Sequence, residues 1–248
     1  MLQLAGTLPP GALVGGEERA LARAMGRSGG ARFVAREADI LLTDGRITGW
    51  REARGAVVAG PSAPNTGNSR FDAGPPAALL CLEGQNCGFV LPAFAPRVEA
   101  FTAAVIYHSE GDARTLLSVS TGQPNNLIFL TENDGRLAAL DRAGTVSVSR
   151  SVAPTGGVRA AILGFDGRAL RLASGGERAE AAAQVPGLEH PADFFIGCRS
   201  NRPGLAKTLG QSRLHEVMFW PDRSILGSAA VEDVAVLAAL DRYLRWVW

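Results

Sequence analysis

Short apolar stretches separated by Asp-Gly pairs are the feature that most limits how this chain can fold. Asp44-Gly45, Asp134-Gly135 and Asp166-Gly167 each lie between stretches rich in β-branched, aromatic and aliphatic residues. Asp-Gly tolerates the positive φ angles of a tight turn, so each pair predicts a β-hairpin. From residue 31 onward, turn signals recur at the short spacing that is typical of sandwiches and barrels. We therefore predict one all-β domain over residues 31–248.

The last third of the chain adds two strands and a helix to this prediction. Residues 193–197 and 212–220 have the composition of strands. In the second of these, the alternation of apolar residues breaks at His215 and Glu216, which predicts a β-bulge. Beyond it, helical spacing predicts an amphipathic helix over residues 231–246, with its apolar positions at Val234, Leu237, Leu240 and Leu244.

Residues 1–30 lack the β-type pattern. Residues 17–25 have the composition of two helical turns, and Ser28-Gly29-Gly30 follows them. Two interpretations stay open. The segment is an arm that anchors the protein to a neighbouring molecule, or it wraps around its own domain.

The charge balance limits the partners of this protein. The chain has 25 basic and 24 acidic residues, a net charge of +1, which gives no electrostatic reason to expect nucleic acid or an anionic membrane as the main partner. No apolar run approaches the roughly 20 residues of a membrane span. The N-terminus has neither the basic region nor the apolar run of a signal peptide. We therefore expect synthesis in the cytoplasm, and exposure outside the cell only after lysis or assembly into a particle.

The cysteines do not form a framework. Cys81, Cys87 and Cys198 are odd in number and have no CxxC spacing, which argues against a disulfide scaffold and a structural zinc site. A Cys81–Cys87 bridge is an alternative, but we expect buried free thiols, because cysteine is among the most buried residue types.

Three stretches carry a family resemblance. Residues 33–55 resemble the opening of LamG-type jelly rolls, with Ile47, Trp50 and Gly55 at matching places, while Glu52 and Arg54 stand where Asp and Ser are usual. Residues 79–91 resemble the strand and turn that follow. The end of the chain is similar to the closing strand and helix of that family, with matches at Glu216, Trp220, Arg223, Glu232, Tyr243, Leu244 and Trp246.

This resemblance implies a concanavalin A-like jelly-roll β-sandwich with a C-terminal helix. In that superfamily of lectins and glucanases, two curved antiparallel sheets carry binding loops at one edge or on a concave face. The matched positions mostly pack the core, so we expect Trp50 and Trp246 to be structural. The resemblance does not identify a ligand, because one sandwich hosts many functions.

The carboxylates argue against catalysis. Glycoside hydrolysis needs two carboxyl groups about 5–10 Å apart. Glu37 and Asp39 begin the E-x-D-x-(x)-E pattern of hydrolases with this fold, but Leu41 and Leu42 stand where the next acid is needed. We therefore expect Glu37 and Asp39 on a solvated face or at a strand exit, and we expect no enzyme activity.

The histidines offer little metal chemistry. His215 and Glu216 are neighbours on a strand and are expected to point to opposite faces. His108 precedes Ser109, Glu110 and Asp112, and this oxygen-rich stretch could contact calcium or sugar. A plain polar loop is the alternative, and we expect no bound metal.

Three loops carry the side chains that suit sugars. Hydroxyl groups need hydrogen-bonding partners, and weakly apolar ring faces need an aromatic platform. Residues 122–126, 132–136 and 199–202 supply the first kind, and Tyr107 is the predicted platform. Each of these residues could instead be a simple turn former. The predicted ligand-binding set is Tyr107, Asn125, Asn126, Asn133, Asp134, Arg199, Asn201 and Arg202.

We therefore predict a non-catalytic carbohydrate-binding protein. Its expected setting is the surface of a phage-like or gene-transfer particle, as a spike or fibre that binds cell-surface polysaccharide and attaches to particle proteins through residues 1–30. The alternatives are a structural or decoration protein of such a particle, and a glycoside hydrolase with a non-standard acid pair. The sequence leaves a homo-oligomer open.

Overall fold

Two antiparallel β-sheets packed face to face form the body of the protein. A computed structural model describes residues 15–63, 65–95, 98–124, 126–141, 147–151, 157–182, 188, 191–201 and 206–248. Every strand pair in these ranges is antiparallel. The predicted all-β sandwich with a C-terminal helix is confirmed.

The elements follow one another in this order. The chain begins with α1 (Gly16–Ser28), β1 (Ala31–Val34), β2 (Ile40–Thr43), β3 (Arg46–Arg51), β4 (Val58–Pro61), β5 (Arg70–Asp72), β6 (Ala78–Cys81), β7 (Phe89–Ala95) and β8 (Phe101–Ser109). It continues with β9 (Arg114–Ser120), β10 (Leu127–Asn133), β11 (Arg136–Asp141), β12 (Ser147–Ser151), β13 (Arg159–Phe165) and β14 (Ala169–Ser174). It ends with β15 (Glu177–Ala182), β16 (Ala192–Ile196), β17 (Ser212–Trp220) and α2 (Val231–Val247).

The strand order mixes distant parts of the chain. One sheet runs β15-β14-β13-β8-β17-β6-β5, and β1 pairs with the part of β17 that β6 does not reach. The other runs β12-β11-β10-β9-β16-β7-β4-β3-β2. Because β8 and β17 lie at the centre of the first sheet, their inward side chains are fully enclosed.

The Asp-Gly hairpins form as predicted. Asp44 and Asp134 have φ angles of 51° and 50°, the left-handed conformation that this pair tolerates. They join β2 to β3 and β10 to β11. The third pair lies in the turn between β13 and β14, and all three hairpins are confirmed.

Aromatic side chains fill the space between the sheets. Phe194 stacks on Phe219 with ring centroids 4.0 Å apart, which ties β16 of one sheet to β17 of the other. Trp50 is fully buried and donates its indole N–H to the Val34 carbonyl at 2.9 Å. The structural role expected for Trp50 is confirmed.

A second core lies on the outer side of the first sheet, under the two helices. Leu21 and Met25 of α1 and Leu240 of α2 are buried there against Met218 and Trp220 of β17. Residues 16–28 therefore wrap around their own domain. Residues 1–14 lie outside the described residues, and the anchoring role of residues 1–30 stays a prediction.

A buried polar network holds the helices to this sheet. Arg32 of β1 donates to Glu216 of β17 at 2.9 Å and to the Tyr243 hydroxyl of α2 at 3.0 Å. Tyr243 donates to the other oxygen of Glu216. Burial raises the pKa of Tyr243, so its hydroxyl keeps its proton as a donor.

The predicted face of the C-terminal helix is wrong in part. Val234 is 51% exposed and Trp246 is 72% exposed, so neither packs the core. The buried positions are Asp233, Val236, Ala239, Leu240 and Tyr243. The helix is rotated from the expected face because Tyr243 must reach Glu216 and the small Ala239 belongs to the cluster shared with α1.

Smaller predictions have mixed outcomes. The pairing register of β17 shifts between Leu214 and Glu216, so the bulge is confirmed.

The three cysteines are buried free thiols, and burial raises the pKa of Cys81 to about 12. Glu37 and Asp39 lie in a short 3₁₀ turn, not in a strand. Among the described residues, neither helix combines the length and apolar character that crossing a membrane requires.

Candidate functional site

The three predicted polar loops do not gather at one place. Residues 122–126 precede β10 and residues 134–135 follow it, so this strand of seven residues separates them by about 23 Å. Asn126 therefore lies at the opposite end of the sandwich from Asn133 and Asp134, and its place in a common site is wrong. Asn125 and Arg202 lie outside the described residues.

The other two loops lie on either side of the start of β9 and form with it a cluster that we call the polar rim: Asp112, Thr115, Asn133, Asp134 and Arg199. Asp112 accepts the backbone N–H of Asp134 at 2.7 Å, which ties the loop before β9 to the β10–β11 turn. Arg199, just beyond β16, donates to the Thr115 hydroxyl at 2.9 Å. Sheet order explains the meeting, because β9 lies between β10 and β16.

Arg199 lies over an aromatic ring. Its guanidinium carbon is 4.0 Å from the centroid of Phe129, within the range of a cation–π contact. Phe129 is only 6% exposed, so its ring is not open to a ligand. Asn201 turns away from the rim and accepts the backbone N–H of Ala63 at 3.2 Å.

Tyr107 is not the stacking platform that the sequence predicts. It is fully buried between the sheets, because alternation along the central strand β8 turns it inward. Its hydroxyl donates to Glu132, whose other oxygen is 2.6 Å from Arg159. Burial and the nearby Glu132 carboxylate raise the pKa of Tyr107. Tyr107 is a core residue, and the predicted set gives the rim no exposed aromatic ring.

The carboxylates near His108 already have protein partners. Glu110 accepts from Gln211 at 2.7 Å and lies 3.6 Å from Arg213. Asp112 pairs with Arg114 at 2.9 Å. Across the described ranges, no three His, Cys, Asp or Glu side chains come close enough to hold a metal ion. A calcium contact here stays a prediction.

The structure contains a concave site that the sequence did not predict. A groove of about 670 Å³ runs between α2 and the β14–β15 turn, on the outer side of the first sheet. Its floor includes Ile106 and Ile162, and its helical wall presents Leu237, Leu244 and Trp248. We call this the helix groove. Its volume lies in the usual range of ligand sites, roughly 300–1,000 Å³.

Polar side chains lie at the edges of the helix groove. Asp241 and Arg245 lie one helical turn apart on α2, and Arg178 follows the turn Gly175-Gly176 on the facing wall. All three are exposed, and none pairs with another side chain in the described part of the chain. Their hydrogen-bonding capacity is therefore available to a ligand.

One sequence signal points to this groove in retrospect. Leu237, Asp241, Leu244 and Trp248 repeat at steps of four, three and four residues, which places them on one side of α2. The prediction assigned Leu237 and Leu244 to the core face. Only the rotation of α2 and its distance from β15 turn this second side into a groove wall.

Comparisons with known proteins concern the fold alone. No protein-family model matches the sequence. No curated protein matches it either. The fold is similar to that of Trypanosoma rangeli sialidase in complex with 2,3-difluorosialic acid, with a TM-score of 0.58, 14% identity, and coverage of 86% of this chain and 32% of that chain. This chain therefore spans about one third of the length of that sialidase.

A second similar structure is a single domain. It is domain 4 of AbnA, a GH43 extracellular arabinanase from Geobacillus stearothermophilus, in complex with arabinotriose. The TM-score is 0.56 at 16% identity, and the match covers 84% of this chain and 96% of that domain. These likenesses establish a β-sandwich fold shared with parts of carbohydrate-active proteins. The narrower LamG-type assignment stays a prediction.

Proposed function

We propose that this protein binds carbohydrate without cleaving it, and that the helix groove holds the sugar. The groove is the observation that carries the proposal. It combines an open cleft, an aromatic side chain and three uncommitted polar groups in one place. The polar rim offers polar groups alone.

The chemistry of the groove suits an oligosaccharide. Trp248 lines the groove at the end of its helical wall and supplies an indole ring against which a weakly apolar sugar face can pack. Asp241 accepts hydrogen bonds, while Arg178 and Arg245 donate them in planar forks. From Leu237 to Trp248 the wall is about 16 Å long, which is enough for a short oligosaccharide.

The similar structures support the class of ligand. The sialidase structure contains 2,3-difluorosialic acid, and domain 4 of the arabinanase is bound to arabinotriose. The match to domain 4 spans nearly that whole domain, so a domain of this architecture and size is found with an oligosaccharide bound. At 16% identity, neither the sugar nor its position transfers to this chain.

The acids of the groove support binding without hydrolysis. Cleavage needs one carboxyl group as acid and another as base or nucleophile. Two acids, Asp241 and Glu177, lie at the edges of the helix groove, and Glu177 already interacts with another group of the protein. We expect no release of reducing sugar from any polysaccharide that the protein binds, and measured release would contradict this part of the proposal.

The experiment is a binding screen followed by matched variants. The full chain is screened against immobilised bacterial and plant polysaccharides, and oligosaccharides of each hit are titrated by calorimetry. We expect Asp241→Asn, Arg245→Gln and Trp248→Ala each to weaken binding by about tenfold or more, since each removes a direct contact. The rim variants Asn133→Ala and Arg199→Gln serve as controls and should bind as the wild type does.

The outcomes separate the two sites. Loss of binding in the rim variants with retention in the groove variants would move the sugar to the polar rim. Failure to bind any polysaccharide would contradict the proposed function as a whole.

The biological setting is the finer part of the proposal. We place the protein on a phage-like particle, where it would bind cell-surface polysaccharide of the host. Antibodies against the full chain should label released particles in electron micrographs. A particle preparation that lacks the protein would contradict this setting and leave carbohydrate binding untouched.

A further inference from the structure

The outward sides of α1 and α2 form one continuous surface. The helices pack side by side through Leu21, Met25 and Leu240, and Glu17 of α1 pairs with Arg242 of α2 at 3.2 Å. Their inward sides cover the first sheet. We call the solvent side of this pair the helix-pair face; along α2 it adjoins the edge of the helix groove that Asp241 and Arg245 line.

A row of arginines runs along α1 on this face. Arg19, Arg23 and Arg27 are spaced by four residues, so they project from one side of the helix about 6 Å apart along its axis. All three are exposed, and none forms an ion pair with another described residue. The acids of α1 are used elsewhere, because Glu17 pairs with Arg242 and Glu18 lies 3.3 Å from Arg32.

Helix stability does not account for this row. Like charges four residues apart disfavour a helix, and of the three arginines only Arg27, in the last turn, is favoured by the helix dipole. The buried contacts of Leu21 and Met25 hold α1 in place without them. An anionic partner would explain why the positive charges stand together.

A row of apolar side chains runs along α2 on the same face. Among the described residues, six large hydrophobic side chains are exposed, and four of them belong to α2. They are Val231 (79% exposed), Val234 (51%), Trp246 (72%) and Val247 (49%). Helical spacing places Val231 and Trp246 on one side of α2 together with the exposed Ala235 and Ala238, whereas Val234 projects about 120° away from Trp246 and Val247 lies at the end of the helix.

We propose that the helix-pair face docks an amphipathic helix of a protein partner that carries acidic residues at i, i+4 and i+8 beside an apolar stripe. Such a helix matches the arginine row in spacing, because both repeat every four residues. Arginine binds a carboxylate with two parallel hydrogen bonds. This geometry fixes the orientation of the two side chains in addition to the attraction between their charges. The apolar stripe of the partner covers Val231 and Trp246. A nucleic acid or an acidic polysaccharide would use the arginines and leave the apolar row in water.

The test uses two synthetic helical peptides of identical composition. In the first, glutamates at i, i+4 and i+8 lie beside a leucine stripe. In the second, the same residues are placed so that the glutamates fall on different sides of the helix. We expect the first peptide to bind the full chain with an affinity that falls as salt is raised, and the second to bind about tenfold more weakly or not at all.

The variants locate the surface. Arg19→Gln/Arg23→Gln/Arg27→Gln should weaken the first peptide by about tenfold or more, and Trp246→Ala should weaken it independently. A control variant with the same loss of charge, Arg46→Gln/Arg51→Gln/Arg168→Gln, should bind as the wild type does. Unchanged thermal unfolding of the three-arginine variant shows that α1 stays in place.

Three results would overturn the proposal. The first is equal binding of both peptides. The second is equal binding of the first peptide by both three-arginine variants. The third is full competition by heparin or by phosphatidylserine vesicles that depends on the arginines alone, which would assign the surface to a polyanion or a membrane. None of these results bears on sugar binding in the groove.

Discussion

At the scale of single residues, glycine is required where two loops touch. A Cβ added to Gly210 would lie 2.0 Å from the Asp112 carbonyl oxygen and 2.5 Å from the Ala113 carbonyl carbon. Both contacts are with backbone, which cannot swing aside as a side chain does. Gly210 therefore allows the segment before β17 to lie against the loop that carries the polar rim.

We expect Gly210→Ala to lower the free energy of unfolding by about 2–3 kcal/mol, because the loops must separate to admit the methyl group. Gly111→Ala in the same loop is the matched control, since a Cβ there meets nothing within 4 Å. It should change stability by no more than about 0.5 kcal/mol. Urea denaturation of both variants measures the difference, and equal stabilities would contradict this close approach.

His215 shows how a bulge can bury a titratable ring. Its Nδ1 donates to the Ala77 carbonyl at 2.8 Å, its ring lies 4.9 Å from Trp248, and only 2% of the residue is exposed. Burial lowers the pKa of His215 below its ordinary value of 6.5. The folded protein therefore holds this ring neutral at pH values where the unfolded chain binds a proton.

We expect stability to fall as the pH is lowered from 7 towards 5. Below about pH 6.5 His215 binds a proton in the unfolded state but not in the folded state. The free energy of unfolding therefore falls by up to about 1.4 kcal/mol per pH unit. His215→Gln should reduce this slope in denaturation curves measured at each pH. A nuclear magnetic resonance titration of His215 that gives an ordinary pKa would contradict the prediction.

At the scale of elements, one buried network decides how α2 lies. Arg32, Glu216 and Tyr243 come from β1, β17 and α2, and each bonds to the other two. The helical spacing of α2 was visible in the sequence, but which side faces inward was not. Tyr243 sets the rotation of α2 through its hydrogen bond to Glu216 of β17. The spacing of apolar residues along α2 does not predict that bond.

We expect Arg32→Met to destabilise the fold by about 3–5 kcal/mol, because it leaves the Glu216 carboxylate buried without its cation. Tyr243→Phe should cost less, about 1–2 kcal/mol, since the ion pair survives. Arg36→Met is the control. Arg36 is half exposed where it pairs with Asp39, so Arg36→Met should lower the free energy of unfolding by no more than about 1 kcal/mol. Thermal and urea unfolding compare the three, and similar losses in Arg32→Met and Arg36→Met would contradict the role of the network.

At the scale of the whole molecule, the sandwich separates three surfaces. The polar rim lies at one end of the second sheet, the helix groove on the outer side of the first, and the helix-pair face on the solvent side of α1 and α2. The proposed sugar site and the proposed docking surface therefore use different side chains, and variants can test each by itself.

We expect a bound oligosaccharide to stabilise the whole domain. At a free concentration of 100 times Kd, mass action adds about 2.7 kcal/mol to the free energy of unfolding. For a chain of this length that raises Tm by roughly 5–10 °C. Differential scanning fluorimetry with increasing oligosaccharide measures the shift. A Tm that rises equally in Asp241→Asn/Arg245→Gln would contradict binding in the groove.

The sequence by itself determined the elements of this protein. Asp-Gly pairs, alternating strands and helical spacing are local, and each depends only on residues near one another in the chain. The hairpins, the bulge in β17, the bounds of that strand, the presence of α2 and the two-sheet class were predictable for this reason.

Only the tertiary structure decided where these elements meet and which side chains remain open to a ligand. Tyr107 is enclosed because β8 became a central strand, and Arg199 meets Thr115 because β16 lies beside β9. The hydrogen bond from Tyr243 to Glu216 sets the rotation of α2 about its axis. In this orientation a groove remains between α2 and the β14–β15 turn. These contacts join residues far apart in sequence, and local patterns do not encode them.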